Sequence, residues 1–241
     1  MAVPMNVSES PSGRGSGSRI VRGLPGNPGA MRPLRTAFDA LARARGARAF
    51  HPQGILLDGT LTPLRPGAFP LVPTEVQARL SKGAGVPQGF RDVLGLAVRV
   101  PLETGPWDLT FSTIGPFGRV LPFPSAGWCD RPFSSLAPYR VDGQLRWLLA
   151  QAAAGQPDVD ASLRAARRLV RGGGFELVVA EAKAVGVPEP IARLRLHTVC
   201  DDADRPAFDP MLNHPPGVTL SPGWLAKARE LAYSGSRSGR S

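Results

Sequence analysis

Val93-Leu-Gly-Leu-Ala-Val-Arg-Val100 and Trp107-Asp-Leu-Thr-Phe-Ser-Thr113 are short apolar or alternating runs, separated by a segment with Pro101, Gly105 and Pro106. Strand side chains alternate between two faces, so runs of this kind suit strands with one face in a core. Similar runs occupy residues 55–61 and 76–81 upstream and 139–141, 144–149, 175–184 and 191–199 downstream, each bounded by Gly, Pro or Asp turns. Asp142-Gly143 between two of them is a strong hairpin signal, because both residues tolerate positive φ. One helix interrupts the series at residues 160–170 and is stopped by Gly172-Gly-Gly174. Another is predicted over residues 34–45, where Leu34, Phe38 and Leu41 share a stripe that ends at Gly46. The fold class is therefore α+β, mainly β, with about eight strands in a closed antiparallel barrel or a sandwich. A barrel of eight strands can enclose one ligand.

Residues 1–30 are rich in Gly, Ser and Pro and read as a disordered tail, leaving residues 31–241 for one barrel domain. The tail has no apolar core segment of the secretory type, and Met31 is an alternative start. The formal charge is +10, but only three of the 29 basic residues are Lys. Arg in place of Lys, with abundant Ala, Gly and Pro, is the mark of GC-rich coding rather than of a polyanion partner. Arg164, Arg167, Arg168 and Arg171 cluster on the predicted helix, where a solvated face accounts for them. Nucleic acid is thus not an expected partner. Cys129 and Cys200 are isolated, and His51, His197 and His214 are far apart, so no zinc or iron–sulfur spacing exists. Two free thiols and no apolar span suit the cytoplasm, with no membrane contact.

The C-terminal stretch Ser221-Pro-Gly-Trp-Leu-Ala-Lys-Ala-Arg-Glu-Leu-Ala-Tyr233 begins with an N-cap residue and a Pro fit for the first helical turn. Arg229 and Tyr233 are four residues apart and would share a helix face. A guanidinium beside a phenol favours the phenolate, and tyrosinate is one of the few protein ligands of haem iron. Arg240 adds a cation that could meet a haem propionate. The plainer reading is an amphipathic helix whose Tyr packs on the core.

The strand region contains Arg48-Ala-Phe-His51-Pro-Gln-Gly54, Arg79-Leu-Ser81, Arg91-Asp-Val-Leu-Gly95-Leu-Ala97 and Trp107-Asp-Leu-Thr-Phe-Ser112, in that order. With Arg229-x-x-x-Tyr233, and with Phe208-x-Pro210, Pro216-Gly217 and Ser221-Pro222 leading into it, this series resembles the haem catalase superfamily from about Arg48 to Arg240. The resemblance implies a catalase-like eight-stranded antiparallel β-barrel with a few flanking helices. It also implies haem b as cofactor, Tyr233 as iron ligand and Arg229 as the group that keeps it anionic. His51 resembles the distal acid–base and Ser81 the residue that orients it. Arg48, Arg79 and Arg240 resemble propionate partners, expected to converge on one mouth of the barrel. Phe117 and Phe123 resemble residues lining the distal pocket.

The implied activity is peroxidase- or catalase-type oxidation with hydrogen peroxide or an organic hydroperoxide. Two departures stand out. Ser112 occupies the place of the family's peroxide-positioning asparagine, and the His-rich run after the tyrosine is replaced by Ser234-Gly-Ser-Arg-Ser-Gly. The chain is also about half the usual family length, without most of the arm and C-terminal helices that build a tetramer, so a monomer or homodimer is expected. The alternatives are a non-catalytic binding module and a repurposed barrel without haem chemistry; some short relatives carry a phosphodiesterase label.

Overall fold

Strand β2 (Thr74–Lys82) shows the rule that builds the molecule: Val76, Ala78 and Leu80 are buried on one face, while Gln77, Arg79 and Ser81 take the other. In the computed structural model, which describes residues 53–83, 87, 89–116, 118–200 and 206–221, the same alternation governs the neighbours. β1 (Gln53–Pro63) turns Ile55, Leu57 and Leu61 inward, β3 (Leu94–Leu102) Leu94, Leu96, Val98 and Val100, and β4 (Gly105–Thr113) Trp107, Leu109, Phe111 and Thr113. The remaining strands are β5 (Phe133–Ser134), β6 (Tyr139–Val141), β7 (Gln144–Ala152), β8 (Phe175–Ala182), β9 (Glu189–Cys200) and β10 (Val218–Leu220).

All pairings are antiparallel, and the order β7-β5-β4-β3-β2-β1-β9-β8 closes because β8 pairs back onto β7. Eight strands thus form a closed barrel, which removes the exposed edges that an open sheet would leave. β6 pairs with the start of β7, and β10 adds to β6 on the outside. The barrel interior is a packed core rather than a ligand cavity. Leu57, Ala78, Leu80, Leu96, Leu148 and Leu196 all fill it with at most 1% exposure. Phe69, Trp107 and Tyr139 close one part of that core, with ring centroids 5.7 to 6.0 Å apart. Truncating one such Leu to Ala costs roughly 2–5 kcal/mol.

The eight sequence-predicted strands are all present, some with shifted ends. β8 stops at Ala182 and β7 runs on to Ala152. Asp142 and Gly143 have φ of 49° and 75°, the left-handed pair that a tight hairpin between β6 and β7 requires. β5 and β10 were not foreseen. The helix α1 (Leu163–Arg171) starts at Ser162, whose side chain accepts from the Ala165 amide at 3.0 Å. Ala165, Ala166, Leu169 and Val170 bury its inner face against β9, β2 and β1. Arg164, Arg168 and Arg171 stand exposed on the other face, and Arg167 is half-buried. No helix among the described residues is long and apolar enough to cross a membrane. The predicted tail at residues 1–30 and helix at 34–45 lie outside the described residues.

Candidate cofactor-binding face

Because Val76, Ala78 and Leu80 point inward, Ser81 must point outward, and strand register carries that choice across the wall. Gly54 pairs with Ser81, Ser81 with Gly95, Gly95 with Ser112 and Ser112 with Ser134. Five strands therefore contribute a continuous row of Gly and Ser to the outer face, about 19 Å long at ordinary strand spacing. Its own side chains are no larger than a hydroxymethyl group; Ser81, Gly95 and Ser134 are buried, and Gly54 and Ser112 are half-buried. The Ser81 hydroxyl donates to the Gly95 carbonyl at a long 3.4 Å. Ser134 is committed locally, donating to Arg119 O and accepting from the Leu136 amide. The Ser112 hydroxyl, half-buried, bonds to none of the described residues.

The next row along the same face is Leu56, Arg79, Ala97 and Thr110. Arg79 lays its guanidinium back across Gly54. A Cβ at Gly54 would sit 2.7 Å from Arg79 Cζ and Nη2 and 2.8 Å from Nε. Glycine at this position is what lets the cation reach the small-residue row. Arg79 lies on the outer face beside Gly54, near the start of β1, while Arg48 and Arg240, its partners in the expected convergence, lie outside the described residues. The structure thus brings Arg79, Ser81 and Ser112 onto one face.

Phe123 is placed differently. Its amide donates to Thr113 O at 2.7 Å, and its carbonyl accepts from Thr113 Oγ1 at 2.8 Å, so it stands opposite Thr113 rather than in the row of Ser112. It packs over Gly115, and Arg131 Cζ lies 4.8 Å from its ring centroid. Thr113, fully buried, also accepts from the Leu94 amide at 3.0 Å, so its hydroxyl is consumed at the rim of the core. Arg48, His51, Phe117, Arg229, Tyr233 and Arg240 lie outside the described residues.

Farther along the outer wall, a shallow groove of about 550 Å³ is lined by Asp58, Glu75, Gln77, Arg99, His197 and Thr198 among others. His197 Nε2 is 3.7 Å from Glu75 Oε2 and its Nδ1 is 3.0 Å from Thr198 Oγ1. Among the described residues no three His, Cys, Asp or Glu side chains assemble as a metal site. Cys129 and Cys200 form no disulfide, and burial pushes the Cys129 thiol above its ordinary value.

Sequence reasoning missed two charged constellations. Lys82 and Asp92 are both buried, 3.8 Å apart, where Asp92 also exchanges backbone hydrogen bonds with Ser125 and anchors the start of β3. Asp108, fully buried, accepts two 2.7 Å bonds from Arg99 and further bonds from Asn213 and the Asp209 amide. Burial alone would raise its carboxyl, but the donated bonds outweigh it and hold the group below the ordinary carboxylate range. Arg99 is raised in turn, chiefly by its bond to Asp108. The visible signal was an Asp inside an otherwise apolar run; Arg99 is its near partner on the neighbouring strand, and Asp209 and Asn213 come from about a hundred residues away.

No protein-family model and no curated protein matches the chain. Solved structures do. A bacterial catalase aligns with TM-score 0.52 at 15% identity over 94% of this chain. Catalase A from Saccharomyces cerevisiae gives 0.52 at 12% over 83%, and a fungal catalase 0.54 at 12% over 93%. The chain spans only 63 to 65% of those catalases' length, more than the half expected from sequence. At such identities the likeness is one of fold: the protein has a catalase-like eight-stranded antiparallel barrel.

Proposed function

We propose that the chain holds a haem against the outer face of β1–β5 and is a peroxidase- or catalase-type oxidoreductase acting on hydrogen peroxide or an organic hydroperoxide. The observation that carries this reading is the row Gly54–Ser81–Gly95–Ser112 with the Arg79 guanidinium laid across Gly54. The row suits a flat macrocycle at close approach, and the cation beside it suits a carboxylate substituent. The described residues therefore fit the group. The catalase-like barrel and the motif series support the same choice.

When bound, haem supplies the iron at which a peroxide is activated. Tyr233 would hold that iron, and Arg229 would keep the phenol ionised. Arg79, with Arg48 and Arg240, would pair with the propionates. His51 would take the proton from the peroxide and return it to the leaving oxygen, and Ser81 would orient the imidazole. The long Ser81–Gly95 bond is easily exchanged for that role. A second reading, haem binding with little turnover, is favoured by Ser112, whose short hydroxyl cannot reach as far as a carboxamide. The test is peroxide-dependent oxidation of a chromogenic donor by hemin-loaded protein. His51→Ala should abolish it while hemin stays bound. Full activity in His51→Ala contradicts the assignment, and no activity in wild type with hemin bound selects the second reading.

A further inference from the structure

Helix α1 carries Arg164, Arg167, Arg168 and Arg171, spaced i, i+3, i+4 and i+7. At 3.6 residues per turn they fall within an arc of about 100° and run about 10 Å along the helix axis. They lie opposite Ala165, Ala166, Leu169 and Val170, which are buried on the core side. Arg164, Arg168 and Arg171 are exposed and Arg167 is half-buried. Among the described residues none of the four makes an ion pair or a side-chain hydrogen bond. Arg195 on β9 extends the stripe, its Nη2 donating to Gly173 O at 3.1 Å just past the last turn. The neighbouring carboxylates are committed elsewhere. Glu176, opposite Arg195 in register, pairs with Arg193. Asp160, which Arg168 reaches only through its field, accepts from the Ser162 amide at 2.7 Å.

An ordinary solvated face interleaves acids with its bases, and α1 contains no acid at all. The arrangement works against the helix itself. Arg164–Arg167, Arg164–Arg168, Arg167–Arg171 and Arg168–Arg171 are like-charged neighbours. Arg164 stands in the first turn, where the positive end of the helix dipole repels a cation, although Arg168 and Arg171 gain from the negative end. GC-rich coding explains Arg in place of Lys, but not the missing counter-charge. We infer that this stripe is a docking surface for double-stranded nucleic acid, met through the backbone phosphates without reading of the bases. A line of guanidinium groups suits a linear polyanion, whose phosphates take bidentate bonds from arginine. A bilayer is the poorer fit, because interfacial helices bury an apolar face in lipid. The apolar face of α1 is packed into the core, and none of the exposed large apolar side chains lies on the helix. The helix also offers no aromatic ring on which single-stranded bases would stack. The surface is carried by α1 rather than by the Gly/Ser row, so it stands independently of the haem reading.

The experiment uses the full chain and a fluorescein-labelled DNA duplex of arbitrary sequence, followed by anisotropy over a range of NaCl concentrations. Wild type should bind, with the logarithm of affinity falling linearly against the logarithm of salt. AT-rich and GC-rich duplexes should bind equally, since phosphate contacts carry no sequence information. Arg164→Gln and Arg168→Gln should each weaken binding severalfold and lower the salt slope by about one, and the double variant by about two. Gln is a good helix former and removes like-charge contacts, so Arg164→Gln should keep or raise the thermal midpoint, which separates lost docking from misfolding. Arg140→Gln, at an exposed arginine of β6, removes the same charge elsewhere and should leave the slope unchanged. Equal losses in Arg140→Gln overturn the inference, because the net charge of +10 would then be what binds. No duplex binding by wild type, or a slope unmoved in the double variant, overturns it too. So does stripe-dependent capture on phosphatidylserine vesicles at a salt concentration where no duplex binds, which assigns the stripe to a membrane instead.

Discussion

The guanidinium of Arg79 occupies the space that a side chain at Gly54 would need: a Cβ there would stand 2.7 Å from Arg79 Cζ. Gly54→Ala therefore has to push the cation away from the small-residue row. Because the obstructing group is the end of a flexible side chain, the fold should lose only about 1 kcal/mol, whereas hemin affinity should fall severalfold. Gly59→Ala is the contrast: its Cβ would collide with the Arg195 backbone carbonyl at the bulge between β1 and β9. That change should cost roughly 1–3 kcal/mol or more, read as a lower thermal midpoint. Equal thermal losses in the two variants would refute this distinction.

Asp108 makes stability acid-labile in a defined direction. Burial opposes its ionisation, but bonds from Arg99, Asn213 and the Asp209 amide win, so the folded value lies below the ordinary 3.8. A group lowered on folding stabilises fully above its unfolded value, and that contribution is lost as pH falls through the folded value. Asp108→Asn should therefore lower stability at pH 7 by roughly 2–3 kcal/mol. Wild type and variant should converge as the pH falls through the folded value of the Asp108 carboxyl. Urea unfolding midpoints at neutral and acid pH measure this; a gap that is independent of pH contradicts it.

Ser112 is the one member of the row whose hydroxyl has no partner among the described residues. It lies outward, two strands from Ser81, in a place where a carboxamide would extend farther over the row. Ser112→Asn is expected to raise oxygen release from hydrogen peroxide by about tenfold or more, on the scale of one well-placed donor. Thr113 cannot substitute, since its hydroxyl points inward and is bonded to Leu94 and Phe123. An oxygen electrode decides: unchanged release in the variant, or wild-type release already equal to that of a full-length catalase, sinks the claim.

Most of the barrel was legible because its strands keep strict alternation. Val76–Ala78–Leu80 against Arg79–Ser81 fixes both the strand and the direction in which Ser81 faces. Asp142-Gly143 announced its hairpin through backbone preference alone. β5 escaped because two residues, Phe133 and Ser134, give no period to read, and β10 because Val218–Leu220 is paired only by the distant β6. Of the candidate site, Arg79, Ser81 and Ser112 were readable from motif order, and register explains why they share a face. The hydrogen-bond cluster on Asp108 was not readable: nothing local in Trp107-Asp-Leu says that Asn213 will bond to Asp108. The position of Phe123 was not readable either: the chain returns through an isolated pairing of Ile114 with Pro122, which sets it opposite Thr113.

The central claim is that this barrel holds haem through Tyr233, and hemin titration followed by visible absorption tests it most directly. The account predicts saturation at about one hemin per chain, with a high-spin ferric tyrosinate spectrum in wild type. In Tyr233→Phe that spectrum should be lost and hemin retention sharply weakened. A wild-type chain that refuses hemin, or a Tyr233→Phe chain that binds it with the same affinity and spectrum, would contradict the account.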